Sequence, residues 1–209
     1  MHTEIELKLL IDPADIPLLQ QHPVLKNAHQ PEPDRQKLHS IYFDTPECDL
    51  ARLKMALRLR LVGKQWIQTV KGGGKVEGGL HQRQEWEVPV VGGAPDFEKL
   101  AESPWSGVFT PSLQSRLAPI FVTDFWRTTW LLEGAEGVVE LALDTGEVQA
   151  SLARVAICEV ELELKSGKPA ALFDLASMLQ TSIALKPEDQ SKADRGYMLY
   201  RNRANLENL

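Results

Sequence analysis

The chain has 209 residues, 43% of them hydrophobic and 25% charged, and a formal net charge of −6. This composition is typical of a globular protein with a well-formed core, and the net negative charge argues against nucleic acid as a partner. The apolar runs are too short to cross a membrane and no secretory leader precedes the first strand, so we predict a cytoplasmic protein without a membrane partner. Cys48 and Cys158 are expected to be reduced, and with five scattered histidines they do not form a metal site.

Residues 2–10 alternate between hydrophobic and charged side chains, which is typical of a β-strand because successive side chains point to opposite faces. Glu4, Glu6 and Lys8 share one face of this strand. On an isolated half-buried strand such a face would meet water. The same alternation returns in several later stretches, which indicates a common environment for the charged faces.

A short helix is predicted over residues 12–21, and strands are predicted over residues 37–43 and 55–62. The second of these strands repeats the opening pattern, because Arg58 and Arg60 lie on one face and leucines lie on the other.

A further strand over residues 65–71 ends at Lys71 and leads into a glycine-rich stretch, residues 72–79. That stretch lacks the signature of a phosphate-binding loop, because Lys75 is followed by Val76 rather than by Ser or Thr. We therefore predict a mobile hairpin tip there.

The strand over residues 83–88 places Arg83, Glu85 and Glu87 on one face. Residues 95–118 are irregular and partly helical.

Two strands follow, over residues 120–132 and 137–143, and the first of them contains Arg127. The sequence Asp-Thr-Gly that begins at Asp144 predicts a turn, with a small hairpin starting at residues 147–150.

Residues 157–164 mirror the first strand, because Glu159, Glu161 and Glu163 share one face. No internal repeat and no domain boundary is visible. We therefore predict a single domain over residues 1–203, with residues 204–209 as a tail or the start of a linker.

Strands of this kind build either a sandwich or a closed barrel. In a sandwich the charged faces would be solvated, whereas in a barrel covered by helices they would line the lumen. Amphipathic covers are predicted at residues 12–21, 95–118, 168–181 and 190–203. They favour an α+β fold in which a β-barrel encloses the charged faces.

A lumen with charges of both signs needs a physical reason, since unpaired buried charges are very costly. Arginine and lysine complement phosphate oxygens, and carboxylates bind hard divalent cations. Such a lumen therefore suits a metal–polyphosphate complex, but internal salt bridging without a ligand explains the pattern about as well.

Residues 4–8 also form an ExExK pattern. Further motifs follow along the chain: Tyr42-Phe43-Asp44-Thr45, Leu57-Arg58-Leu59-Arg60, Thr69-Val70-Lys71, Arg83-Gln84-Glu85-Trp86-Glu87, Glu159-Val160-Glu161-Leu162-Glu163 and Ser191-Lys192. This ordered set resembles the CYTH, or triphosphate tunnel metalloenzyme, superfamily, and it is most similar to the bacterial inorganic triphosphatases. In many of those a CHAD domain follows the CYTH domain, so the chain is expected to be a stand-alone version or the front of a longer protein.

The resemblance implies an eight-stranded antiparallel tunnel that hydrolyses inorganic triphosphate to diphosphate and phosphate with Mg²⁺ or Mn²⁺ in a two-metal site. It implies phosphate contacts from Lys8, Arg58, Arg60, Lys71, Arg83, Arg127 and Lys192. It implies metal binding by Glu4, Glu6, Asp144, Glu159 and Glu161. The residues expected to take part directly in catalysis are Glu4, Glu6, Lys8, Lys71 and Lys192. Those expected near the site, as supporting groups or occasional ligands, are Glu85, Glu87 and Glu163.

Two other functions remain open. The first is another reaction of the superfamily: adenylate cyclase, or hydrolysis of thiamine or nucleoside triphosphate. It needs stacking groups such as Trp66, Trp86 and Trp126, which are instead expected in the core. The second is a non-catalytic polyphosphate-binding module, which ranks last because both carboxylate pairs are present.

Overall fold

The computed structural model describes residues 2–29 and 32–206, and within them nine strands form one antiparallel sheet. The strands are β1 (His2–Leu10), β2 (Asp34–Asp44), β3 (Met55–Val62), β4 (Gln65–Glu77), β5 (Leu80–Val90), β6 (Ala118–Gly134), β7 (Gly137–Ala150), β8 (Ala153–Gly167) and β9 (Lys186–Pro187). The spatial order is β5-β4-β3-β2-β6-β7-β8-β1-β9. Two meanders, β2 to β5 and β6 to β8, therefore meet at the β2–β6 pair.

The first strand closes the sheet into a barrel. β1 pairs with β5 through residues 2–7 and with β8 through residues 6–10. The short β9 adds to β1 at Leu9 and Leu10, just beyond the point where β5 diverges. The predicted eight-stranded antiparallel barrel is therefore confirmed.

Six α-helices lie within the described ranges. They are α1 (Ile16–Gln20), α2 (Asp49–Arg52), α3 (Phe97–Leu100), α4 (Pro111–Gln114), α5 (Ala170–Gln180) and α6 (Lys192–Leu206), and 3-10 helices lie at Pro13–Asp15 and Pro23–Asn27. Within the part of the chain that the structure covers, no helix combines the length and hydrophobicity needed to span a membrane. The domain end at residue 203 stays a prediction, since α6 continues through Leu206 and residues 207–209 lie outside the described residues.

Hydrophobic clusters hold the helices to the outer wall. Leu7 and Leu9, on the outer face of β1, pack with Leu172 and Leu175 of α5 in one cluster. A second cluster joins β3, β4 and β5 to α2, α3 and α4. Because this apolar burial lies outside the wall, the inner face is free to carry charge.

One end of the lumen is closed by an apolar floor. Phe121 and Phe125 share the inner face of β6 with Arg127, and both belong to a cluster that contains Tyr197 of α6. The rings of Phe121 and Tyr197 meet edge to face at 5.2 Å. The last helix therefore covers this end of the barrel.

The turn predicted at Asp144 was wrong. β7 runs without a break from Gly137 to Ala150, and Gly146 pairs with Phe125 of β6 and Ile157 of β8. A Cβ atom on Gly146 would lie 2.3 Å from the carbonyl oxygen of Asp124. The glycine is present because two strands approach closely there, not because the chain turns.

The glycine-rich stretch is also more ordered than predicted. Residues 72–77 belong to β4, with a register shift between Gly72 and Lys75, and the hairpin turns only at Gly78 and Gly79. The predicted hairpin is confirmed, but its turn is confined to Gly78 and Gly79, and the mobility of the tip stays a prediction.

Candidate active site

The charged faces of the strands meet in the lumen, where they line a cavity of about 300 Å³. Its charged lining comprises Glu4, Glu6, Lys8, Arg58, Arg60, Lys71, Arg83, Glu85, Glu87, Arg127, Glu161, Glu163, Lys165 and Lys192. We call this cavity the chamber. It brings together every predicted site residue except Asp144 and Glu159, which lie buried immediately behind Lys192.

Glu161 is the centre of the buried network. Its carboxylate accepts hydrogen bonds from the ammonium groups of Lys8 and Lys192 and from the guanidinium of Arg127. Burial alone would raise the pKa of Glu161, but the attraction of these three cations holds that pKa well below its usual range. Glu161 is therefore ionised at neutral pH.

Asp144, Glu159 and Glu161 form a compact carboxylate group. Each offers an oxygen, and these oxygens all lie within 4.8 Å of one another. β7 and β8 place them side by side, because Asp144 is directly opposite Glu159. Three close, buried oxygen ligands are what a hard divalent cation requires, so this trio fits a metal site.

Helix α6 places the cationic side chains of Lys192 and Arg195 next to the carboxylate trio. The Lys192 ammonium lies 2.6 Å from Asp144 and 2.9 Å from Glu161, and it also contacts Glu159. Burial lowers the pKa of Lys192, but the surrounding carboxylates raise it far above its ordinary value. Arg195, one helical turn later, pairs with the second oxygen of Glu159.

The adjacent strand β1 carries the ExExK residues. The Lys71 ammonium lies 2.7 Å from both carboxylate oxygens of Glu4, and the Arg83 guanidinium donates to Glu6 at 3.0 Å. The ammonium of Lys8 is 3.0 Å from Glu6. Burial raises the pKa of Glu4, yet the charge of Lys71 brings the net value below normal. Glu4 and Glu6 therefore lie in the chamber, and Lys8 links Glu6 to Glu161 of the carboxylate trio.

Arg58 and Arg60 complete the basic lining. Arg58 donates to Thr69 at 3.1 Å and to Glu87 at 3.2 Å. Arg60 donates to Ser40 at 3.1 Å. Burial, together with repulsion from neighbouring arginines, lowers the pKa of Arg60 to about 10. Among the described residues no carboxylate forms an ion pair with Arg60, so N–H groups of its guanidinium are available to an anion.

The chamber opens at the end where its side chains become exposed. The side chain of Glu87 is 42% exposed and that of Lys165 is 37%, whereas that of Lys8 is 4%. Lys165 lies 2.9 Å from Glu163 and continues the inner row of β8. Burial raises the pKa of Glu163. Glu163 therefore lies toward the mouth of the chamber.

The residues of this site that sequence reasoning missed include Tyr42, Lys165 and Arg195. Tyr42 and Lys165 line the chamber, and Arg195 is buried against Glu159. Lys165 could have been found from strand alternation, since it follows Glu163 by two residues. Arg195 could have been found from helix periodicity, since it follows Lys192 by three.

The tryptophans do not provide a stacking surface in the chamber. Trp66 and Trp86 pack against the hydrophobic cluster outside β3, β4 and β5, as expected. Trp126 is 42% exposed and lies under the guanidinium of Arg35, so its expected core position was wrong. Among the described residues, the aromatic rings that line the chamber are those of Tyr42 and His2.

The charges of the chamber nearly cancel. Counted with Asp144, Glu159 and Arg195, nine Lys and Arg face eight carboxylates within the described part of the chain. Triphosphate carries roughly four negative charges at neutral pH. Because the protein offers so little net positive charge, such an anion is accommodated best together with divalent cations.

Comparison with known families identifies the domain. The model of the CYTH domain matches residues 2–197. An inorganic triphosphatase from Haemophilus influenzae is 37% identical over 205 residues, which are 95% of this chain and 55% of that protein. The chain therefore spans about half the length of this curated relative.

Solved structures support the same fold. A Hippeastrum protein, described as a candidate adenylyl cyclase with a dominant triphosphatase activity, is 21% identical, with 95% of each chain covered and a TM-score of 0.65. A protein from Pyrococcus horikoshii is 20% identical over 90% of this chain and 96% of its own, with a TM-score of 0.56. At such identities the likeness bears on the fold alone.

Proposed function

Because this chain belongs to the CYTH domain family, we propose that it hydrolyses inorganic triphosphate to diphosphate and phosphate in the chamber, with Mg²⁺ or Mn²⁺. The observation that carries the proposal is the pairing of a buried carboxylate trio with a basic lining in one cavity. The identity of the H. influenzae relative, an inorganic triphosphatase, supports the same activity.

The proposed metal ligands are Asp144, Glu159 and Glu161, with Glu4 and Glu6 on the neighbouring strand β1. When bound, a pair of divalent cations neutralises phosphate oxygens and lowers the pKa of a bound water. Oxygen ligands of this kind suit both Mg²⁺ and Mn²⁺. Neighbouring lysine and arginine charges lower the pKa of Glu4, Asp144 and Glu161 below the usual range, so these three carboxylates are already in the ionised state that a metal requires.

The basic residues are proposed to hold the phosphates. They are Lys8, Arg58, Arg60, Lys71, Arg83, Arg127 and Lys192. One arginine guanidinium can donate two parallel hydrogen bonds to two oxygens of a phosphate. In a buried chamber such groups stabilise the charge that develops during phosphoryl transfer. Glu85 and Glu87 are proposed to orient Arg58 and Lys71, since Glu85 lies 3.7 Å from the first and 3.3 Å from the second.

Inorganic triphosphate is favoured over a nucleotide or thiamine triphosphate. A base needs an apolar or aromatic surface, and the described lining offers only Tyr42 and the largely exposed His2 besides charged and small residues. The apolar floor beneath Tyr42 is filled by Phe121, Phe125 and helix α6. The chamber therefore suits a compact, highly charged substrate.

The test is phosphate release from inorganic triphosphate, ATP and thiamine triphosphate, each with Mg²⁺, Mn²⁺ or EDTA. We expect metal-dependent release from inorganic triphosphate and much slower release from the other two. Comparable rates on a nucleotide would overturn the substrate assignment. Tight binding without turnover on any substrate would support a binding module instead.

Arg58 provides a residue-level test, because its guanidinium faces the chamber and is fixed by Thr69 and Glu87. We expect Arg58→Ala to raise KM for triphosphate about tenfold or more, since a charged hydrogen bond is worth roughly 1.5–3 kcal/mol. Arg52→Ala is the control, because Arg52 pairs with Asp49 on the exterior. Unchanged KM and kcat in Arg58→Ala would remove Arg58 from the site.

A further inference from the structure

A short segment between α5 and α6 lies along the edge of the barrel. Lys186 and Pro187 form β9 on Leu10 and Leu9, and the next residue, Glu188, donates its N–H to the carbonyl of Lys8 at 3.0 Å. The segment thus continues the wall where β5 leaves β1. It also leads directly into the helix that carries Lys192.

His81 of β5 holds this segment in place through a hydrogen bond. The side chain is 1% exposed, and its Nε2 lies 3.0 Å from the carbonyl oxygen of Glu188. A carbonyl only accepts, so Nε2 carries the proton and donates. Among the described residues, the other ring nitrogen has no hydrogen-bond partner. The tether to Glu188 is therefore the polar contact that this buried side chain makes.

Asp189 joins the same segment to the β4–β5 turn through a second hydrogen bond. Its Oδ1 accepts the backbone N–H of Gly79 at 2.7 Å. Gly79 has a φ of +83°, and a Cβ atom there would lie 2.7 Å from the carbonyl oxygen of Lys8. The glycine allows the β4–β5 turn to approach closely enough for Asp189 to reach it.

The segment determines where α6 begins. Ser191 caps the helix, because its hydroxyl and backbone N–H both donate to Asp194, and Asp194 N–H donates back to the hydroxyl. Lys192 is the first residue of α6, only four residues after Glu188. Its long, flexible side chain reaches the carboxylate trio only if the backbone starts in the right place.

We propose that residues 186–189 act as a clip that sets the position of Lys192 in the chamber, and that His81 and Asp189 are positioning residues for it. The inference rests on the proposed function only in giving Lys192 a phosphate to bind. His81 does not line the chamber and so acts through the clip rather than on the ligand.

The first test measures Lys192 directly. Lysines of the whole protein are acetylated with a trace of acetic anhydride, and each modified peptide is quantified by mass spectrometry relative to exposed Lys168. We expect Lys192 labelling to rise about fivefold in His81→Leu and in Asp189→Ala, as loss of one hydrogen bond predicts. His81→Gln, whose amide nitrogen is as far from Cβ as Nε2, and Asp189→Asn should label like the wild type.

The matched control is His39→Leu, because His39 lies on the outer wall and pairs with Asp124. Its Lys192 labelling should equal that of the wild type. Unchanged labelling in both His81→Leu and Asp189→Ala would overturn the clip. Since Asp189 is exposed, Asp189→Ala keeps the test valid even if His81→Leu does not fold.

The second test is a double-mutant cycle on triphosphate hydrolysis. We expect His81→Leu to lower kcat about tenfold, as misplacement of a catalytic group does, and to have no further effect in a Lys192→Met background. Additive effects would refute positioning through Lys192. A wild type without triphosphatase activity would refute the proposed function, while the labelling result would still decide the clip.

Discussion

Replacing Lys192 by methionine removes the ammonium that lies among three buried carboxylates. In the wild type its Nζ is 2.6 Å from Asp144 and 2.9 Å from Glu161, with 0% and 9% side-chain exposure for the two acids. Breaking a buried ion pair from one side costs about 3–5 kcal/mol, and we expect the lower end because Arg127 and Arg195 still face the trio. For a domain of this size, that is a fall in Tm of about 6–12 °C.

The assay is thermal unfolding of both proteins with EDTA and with MgCl₂. We expect the difference in Tm between the wild type and Lys192→Met to shrink when Mg²⁺ is present. In the variant the carboxylate trio no longer holds the Lys192 ammonium, which competes with the metal, so Mg²⁺ stabilises the variant more than the wild type. Lys168→Met is the control, since Lys168 is 75% exposed and its pair with Glu136 is worth little. A Lys192→Met variant with the same Tm as the wild type would show that the ion pairs of Lys192 with the carboxylate trio do not stabilise the fold. A gap that Mg²⁺ leaves unchanged would refute the trio as metal ligands.

Three further predictions concern Glu4, Gly146 and Glu161. Glu4→Gln should lower kcat by about a hundredfold with the fold retained, because it keeps the shape of the side chain but loses the charge next to Lys71. Gly146→Ala should lower the free energy of unfolding by about 3 kcal/mol, since its Cβ would lie 2.3 Å from a carbonyl oxygen of β6. The pKa of Glu161 is lower in the folded protein than in the unfolded chain, where it is about 4.3, so ionised Glu161 stabilises the fold fully above that pH. This stabilisation is lost as the pH falls toward the folded pKa. The free energy of unfolding, measured in urea, should therefore be smaller at pH 3 than at pH 6.

Each of these has an outcome that would contradict it. Full activity in Glu4→Gln would exclude Glu4 from the metal site. A Gly146→Ala protein with wild-type stability would show that β6 and β7 relax apart at no cost. If Glu161→Gln keeps the same pH dependence of stability as the wild type, other carboxylates produce the acid sensitivity.

Strand alternation predicted which charged side chains of one strand share a face. Glu159, Glu161 and Glu163 share the inner face, as their spacing of two residues requires. Alternation does not predict which carboxylate meets which cation, because that depends on register between strands far apart in sequence. Lys8 is opposite Glu161, and Arg127 is opposite Asp144, only because β1 and β6 pair with β8 and β7 in one register.

The features that were predicted wrongly or missed also depend on contacts between residues far apart in the sequence. Asp144 to Gly146 has the composition of a turn, but the chain continues as a strand because the pairing with β6 and β8 on both sides outweighs local turn preference. The clip has no periodicity at all, and its hydrogen bonds reach residues about 110 positions away. Neither feature could be predicted from a local pattern.

The position of β1 between β5 and β8 has a consequence for synthesis on the ribosome. Chains emerge from the N-terminus, and each of the two meanders can form from neighbouring strands as it appears. β1 can pair with β5 once Val90 has been made, but its other edge has no partner until residues 159–163 follow. The nascent barrel therefore carries an unpaired edge through much of translation, and the lysine-bearing helix can take its place only after that edge is closed.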